Sequence, residues 1–171
     1  MNRARWFAVA TGLQAALLLA WAGYHEWTRA TAGTIVLETA PVDPRDLLRG
    51  DYMILSYKIS DVPAPAGAGG NDDAVGRDIW VSLRPAGRFH EVAGTAWTPP
   101  GAVAPGIVVV RGRTTQGGRG ANLRVEYSIE KYFVPEGKGQ PPFKEMVVEA
   151  TVSKTRRLGI RHLLIDGQPY P

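Results

Sequence analysis

Asp43, Arg45, Asp46, Arg49 and Asp51 crowd five charged side chains into one short stretch, and Glu136 supplies a sixth far downstream. Two carboxylates that meet in a groove, such as those of Asp51 and Glu136, can divide the roles of acid and base when their surroundings push their pKa values apart, which is the chemistry of a hydrolase. The same residues also suit a structural task. Asp43 and Asp46 can cap a turn while Arg45 or Arg49 pairs with Asp51 or Glu136, and this brace is the reading the residues favour. It assigns no catalytic residue.

Other reactive arrangements find little support. The chain has no cysteine, and its three histidines, His25, His90 and His162, are scattered without a second ligand at helical spacing, so neither zinc nor another metal is expected. Asp72 and Asp73 lack the ligand spacing of a calcium loop. No nucleophile-elbow motif occurs. Ser56 and Lys58 share one face of a predicted strand, which does not match a serine just beyond an apolar helix served by a lysine base. No cofactor is expected.

The elements that must hold the charged set follow from local chemistry. Asp43 is placed to cap a helical turn, Pro44 suits the first helical position, and Asp46 falls where a carboxylate reaches back to the cap. Gly50 ends that turn because glycine tolerates the left-handed conformation. A strand with a period of two then follows. Met53, Leu55, Tyr57 and Ile59 share one face, with Asp51 at its mouth, while Tyr52, Ile54, Ser56 and Lys58 share the other. Downstream, Tyr132, Phe133 and Val134 lead into Pro135, Glu136 and Gly137, where the lost donor and the glycine end a strand.

Gly50, Asp51, Tyr52, Leu55 and Tyr57 resemble the motif of the bacterial GDYXXLXY domain family, and Pro41, Asp43, Pro44, Arg45, Asp46 and Arg49 resemble its usual approach. Tyr132 to Gly139 (YFVPEGKG) is similar to the family's later Phe-Val-Pro-Glu-Gly segment. The resemblance spans roughly Thr34 to Asp166. It implies a membrane-anchored bacterial domain, often beside or fused to multi-pass membrane proteins, with no assigned catalytic residues and no established role.

Trp6 to Tyr24 is a run of nineteen residues without a charge, which at about 1.5 Å per residue matches the thickness of a bilayer's hydrocarbon core. Arg3 and Arg5 precede it, so the positive-inside rule leaves residues 1–5 in the cytoplasm and exports the rest. The alternative is a signal peptide cleaved after Ala22. Residues 25–33 read as a linker, and residues 34–171 as one extracytoplasmic domain.

Of the 171 residues, 20 are glycine and 13 proline, which suits many short strands joined by turns. Strands are predicted at Thr34 to Glu38, Asp78 to Leu83, Arg88 to Trp97, Gly106 to Thr115, Ala121 to Ile129, Glu145 to Lys154 and Leu158 to Ile165. Arg84 to Gly87 would turn the first hairpin and Asp166-Gly167 would close the last strand. Pro63 to Gly76, rich in small and acidic residues, reads as a mobile surface loop with little to bury. The fold class is therefore mainly β: a single small antiparallel barrel or sandwich preceded by one transmembrane helix.

The formal net charge of +4 is mild, with Lys154, Arg156, Arg157 and Arg161 the one cluster. No recognition helix or aromatic RNA-binding motif accompanies it, so nucleic acid is not an expected partner. The expectation is a non-catalytic periplasmic module on the bacterial inner membrane. Its partner would be a multi-pass membrane or other envelope protein, met through a sheet edge and residues 41 to 52.

Overall fold

The structure, a computed structural model, describes residues 3–30, 33–39, 52–67, 74–116, 121–134 and 143–170. The predicted helical turn from Asp43 to Gly50 lies outside them. The described residues form two compact units that divide between Ala32 and Gly33.

The first unit is one helix, α1 (Arg3–Ala30). It is longer than its apolar stretch and continues through most of the expected linker. Leu13, Leu17 and Leu19 are exposed on it, together with Trp6 and Trp21 near the two ends of the apolar stretch. A helix apolar on every side has no polar face to offer to water.

The second unit carries eleven strands among the described residues: β1 (Gly33–Glu38), β2 (Tyr52–Ile54), β3 (Asp61–Pro63), β4 (Asp78–Ala86), β5 (Phe89–Ala96), β6 (Val108–Thr115), β7 (Asn122–Glu126), β8 (Lys131–Phe133), β9 (Met146–Val152), β10 (Leu158–Ile165) and β11 (Gln168–Tyr170). They form three antiparallel sheets, in the orders β1-β9-β10-β11, β2-β8 and β3-β7-β6-β4-β5. Among the described residues the strands do not close into a complete barrel. Alternation selects the buried face: Ile35 and Leu37 of β1, Val148 and Ala150 of β9, Ile79, Val81 and Leu83 of β4, and Leu123 and Val125 of β7 all enter one core.

Several expectations are corrected. The β4 strand does not stop at Leu83 but runs through Pro85 to Ala86, so the turn falls at Gly87 and Arg88. Proline is tolerated there because β6 stops opposite Leu83, leaving the end of β4 with a partner on one side only. Asp166-Gly167 does not end the sheet. Both residues have positive φ (49° and 80°), which is the geometry of a tight hairpin turn, and the chain returns as β11. The run from Ala121 to Ile129 is a strand only to Glu126, and Ser128 turns through the left-handed region (φ 66°).

The end of the expected loop from Pro63 to Gly76 also buries more than its composition suggests. Ala74 is 1% exposed. Thr114, buried on β6, holds this segment: its hydroxyl accepts from the Arg77 N–H (3.0 Å) and donates to the Ala74 carbonyl, while its carbonyl accepts from the Gly76 N–H (2.8 Å). Thr114→Val keeps the shape and removes both hydroxyl bonds, leaving the Arg77 N–H and the Ala74 carbonyl only their long mutual bond (3.3 Å). It should cost about 1–2 kcal/mol, measured by denaturant unfolding, and an unchanged midpoint would contradict this role.

Candidate functional site

The segment that carries Tyr52, Leu55 and Tyr57 pairs with the segment that carries Tyr132 and Phe133. In β2 and β8 the register is Tyr52↔Phe133, Met53↔Tyr132 and Ile54↔Lys131. In β3 and β7 it is Asp61↔Arg124, Val62↔Leu123 and Pro63↔Asn122. Stepping inward residue by residue from Ile54↔Lys131 arrives at Asp61↔Arg124, so the two ladders share one register. Between them both chains leave the ladder.

This gap is spanned by side chains. The Tyr57 hydroxyl donates to the Ile129 carbonyl at 2.6 Å, and the Tyr127 hydroxyl donates to the Ile59 carbonyl at 2.7 Å. The two bonds are reciprocal: each phenol reaches the residue two positions beyond the opposite tyrosine. Tyr57 and Tyr127 are 1% and 2% exposed. Each hydroxyl thus satisfies a buried backbone carbonyl. Around them, the Leu55 N–H donates to the Glu130 carbonyl (2.7 Å), and Ser60 N–H closes the single 3-10 turn at Lys58–Ser60 on the Tyr57 carbonyl (3.0 Å). Arg124 donates to the Ser56 hydroxyl at 2.6 Å.

The electrostatics of this clamp suit support more than proton transfer. Burial first, and then the charge of Glu130, push both phenols far above their ordinary range, so they remain neutral donors at any physiological pH. Glu130 accepts from the Tyr127 N–H at 2.6 Å. Its own pKa is raised by burial, against the opposing effect of backbone N–H bonds.

A carboxyl whose native pKa is raised binds more protons folded than unfolded between its ordinary value, about 4.3, and the raised one. Its charged form therefore costs stability above that window, and the cost disappears as pH falls through it. Glu130→Gln retains an oxygen for the Tyr127 N–H and removes the charge. Relative to this variant, the native protein is expected to gain stability on acidification from neutral pH towards 4.3. Parallel stability profiles for the two proteins would refute the assignment.

Of the residues singled out from sequence, Leu55 and Tyr57 are buried as expected, and Tyr132 and Phe133 lie on the strand paired with β2. The Tyr132 hydroxyl donates to the Tyr170 carbonyl at 3.1 Å. Asp43, Pro44, Arg45, Asp46, Arg49, Gly50, Asp51, Pro135, Glu136 and Gly137 lie outside the described residues, as does the ionic brace expected among them. Tyr52 is described by its backbone pairing alone.

Ser56 and Lys58 are not assembled as nucleophile and base. Lys58 is salt-bridged to Glu38 (2.6 Å), and Ser56 accepts from Arg124. His90 accepts from the Val36 N–H (3.3 Å) and His162 pairs with Glu149 (3.0 Å). Among the described residues no cluster of three or more metal-ligating side chains occurs.

Sequence reasoning missed the partnership of Tyr127 with Tyr57, and it missed Glu130. One signal was available. Tyr57-Lys58-Ile59 and Tyr127-Ser128-Ile129 repeat the same Tyr-x-Ile pattern at the end of two alternating runs, and the clamp joins these two tripeptides. Gly112 was also missed. It is buried where a Cβ would collide with Val125 and come within 3.1 Å of the Tyr127 ring, so its bare backbone makes room for the clamp.

In comparisons with known proteins, residues 14–158 match the family model described as GDYXXLXY protein. No curated protein and no solved structure matches.

Proposed function

The chain belongs to the GDYXXLXY family, and from that premise we infer that it is a single-span membrane protein whose β unit is a non-catalytic binding or assembly module of the bacterial envelope. Its N-terminus lies in the cytoplasm and its β unit outside the inner membrane. The observation that carries the reading is the clamp. The polar side chain of the motif that the structure describes, Tyr57, has its hydroxyl committed to a backbone carbonyl, and its partner Tyr127 likewise. Groups held in this way stiffen a scaffold. The membrane anchor is supported by the nineteen apolar residues of α1 and by the arginines before them.

For the finer architecture we favour a partly open barrel over a sandwich. Thr95 on β5 donates to the Pro63 carbonyl on β3 at 2.8 Å, which joins the two edge strands of the five-stranded sheet. Val36 on β1 donates to His90 on β5, which joins the four-stranded sheet to the same edge. Two sheets packed face to face about 10 Å apart with both seams open would favour the sandwich instead.

The test is made in intact cells. A reporter fused after Pro171 should be active only outside the cytoplasm, and a photo-crosslinker at the exposed Phe133 position should capture one envelope protein reproducibly. A reporter active only in the cytosol overturns the anchor. A hydrolytic activity that disappears in a folded Glu136→Gln protein overturns the non-catalytic reading in favour of an exported hydrolase using Asp51 and Glu136.

A further inference from the structure

Six basic residues of the β unit gather at one end of it. Gly33, where β1 begins, pairs with Val152, where β9 ends, so the turn from Ser153 to Arg157 lies at the end of the sheet where the chain arrives from α1. That turn carries Lys154, Arg156 and Arg157, and its Arg156 carbonyl accepts from the Arg111 N–H of β6 at 2.7 Å. Arg111 and Arg113 are thereby brought to the same end, and Arg161 joins them through Thr34 (3.2 Å). Among the described residues these six cations are set against three acids: Asp78, salt-bridged to Arg111; Glu126, opposite Arg113; and Glu149, paired with His162 beside Arg161.

The Asp78 carboxyl is held below its ordinary range chiefly by the Arg111 hydrogen bond, with further lowering from the charges of Arg113 and Arg157. Trp80 lies beneath the Arg111 guanidinium, 5.9 Å from ring centre to charge. Among the described residues the opposite end of the four-stranded sheet has no such excess. There Glu38 pairs with Lys58 and Glu145 with Arg88, while Asp166 accepts from the Lys144 and Glu145 backbone.

We propose that this basic end, built from the β9–β10 turn and the outer side of β4 and β6, docks on the anionic phospholipid headgroups of the membrane that α1 spans. The inference rests on the anchor reading above. Three features point to lipid. The patch complements an anionic surface in charge, it lies at the end of the unit where the chain enters from α1, and that chain leaves α1 at Ala30 and starts β1 at Gly33. So short a connection gives the β unit a high effective concentration at the bilayer, and a patch too weak to bind free vesicles tightly suffices once tethered. Each Lys or Arg near an anionic surface favours the docked state by about fivefold. A tryptophan beside the arginines suits the headgroup level, where amphipathic rings collect.

The chain has no cysteine, so Thr155→Cys at the tip of the turn offers a unique site for a spin label. The full chain is reconstituted in nanodiscs of phosphatidylcholine alone or with phosphatidylglycerol, and the label's accessibility to a water-soluble nickel chelate is measured. Accessibility should fall in the anionic discs and recover in about 1 M salt, where the Debye length shrinks to about 3 Å. Arg157→Gln and Arg161→Gln should each shift the docked-to-free ratio back by about fivefold, with far-UV and near-UV circular dichroism confirming an unchanged fold. Equal accessibility in the two kinds of disc overturns the inference and leaves the anchor standing. Protection by heparin in neutral discs without protection by phosphatidylglycerol overturns it in favour of a polymeric anion. Failure of the chain to incorporate into either disc overturns the anchor and this inference together.

Discussion

Tyr127→Ala is expected to destabilise the β unit by about 3–5 kcal/mol, the range for removing a fully buried aromatic side chain from a packed core. The ring stands between β6 and the segment from Leu55 to Ile59, and its loss opens a cavity and strands the Ile59 carbonyl. Tyr127→Phe separates the two contributions. It keeps the ring, removes the hydroxyl and should cost about 1–2 kcal/mol, as should Tyr57→Phe. The clamp makes a stronger statement about the pair. In a double-mutant cycle on denaturant unfolding the two Tyr→Phe changes should be non-additive, because each hydroxyl holds the tripeptide that carries the other. Additive losses, or a Tyr127→Phe protein as stable as the native one, would show that the hydroxyls do not act together.

Gly112→Val should rank second, with a loss of about 3 kcal/mol. Gly112 sits in the middle of β6, and its inner side is filled by Val125, the Glu126 carbonyl and the Tyr127 ring. A branched side chain there must displace the ring that carries one half of the clamp. The backbone oxygen cannot move aside without disturbing the β6–β7 ladder, where Arg113 pairs with Glu126. A smaller loss is expected for Gly112→Ala, since a single methyl group displaces less. If Gly112→Val unfolds at the same denaturant concentration as the native protein, the β6–β7 surface is not packed as described.

Much of the local structure was legible because alternation reports directly on burial. Met53, Leu55, Tyr57 and Ile59 share one face by a period of two, as Leu123, Val125, Tyr127 and Ile129 do, and all eight are buried. The last long strand, Leu158–Ile165, has the bounds expected of it. Errors arose where a local rule met a non-local partner. Pro85 looked like a turn residue because its missing N–H is costly in a ladder, yet β6 ends before reaching it. Ala74 looked like part of a solvated loop because its neighbours are small and acidic, yet Thr114 on a strand forty residues away draws it into the core. Asp166-Gly167 was rightly marked as a break, but a break does not reveal whether the chain stops or doubles back.

The candidate site was less legible than the fold. The charged set from Asp43 to Asp51 and Glu136 attracted notice because charges are conspicuous in a sequence. The described part of the site works instead through two tyrosines that composition alone would assign to packing. Both tyrosine hydroxyls act across separations of about seventy residues, 72 for one and 68 for the other.

What the amino-acid order determined without help was an apolar helix of membrane length, a family motif, and the inward face of each alternating run. These depend on a residue and its near neighbours, through side-chain periodicity and transfer free energy. The partner of each strand, the shared register of the two short ladders and the exchange of tyrosine hydroxyls across their gap were decided only when distant segments packed. Alternation dictates which side of a strand is buried, but it carries no label for the strand that comes to lie beside it.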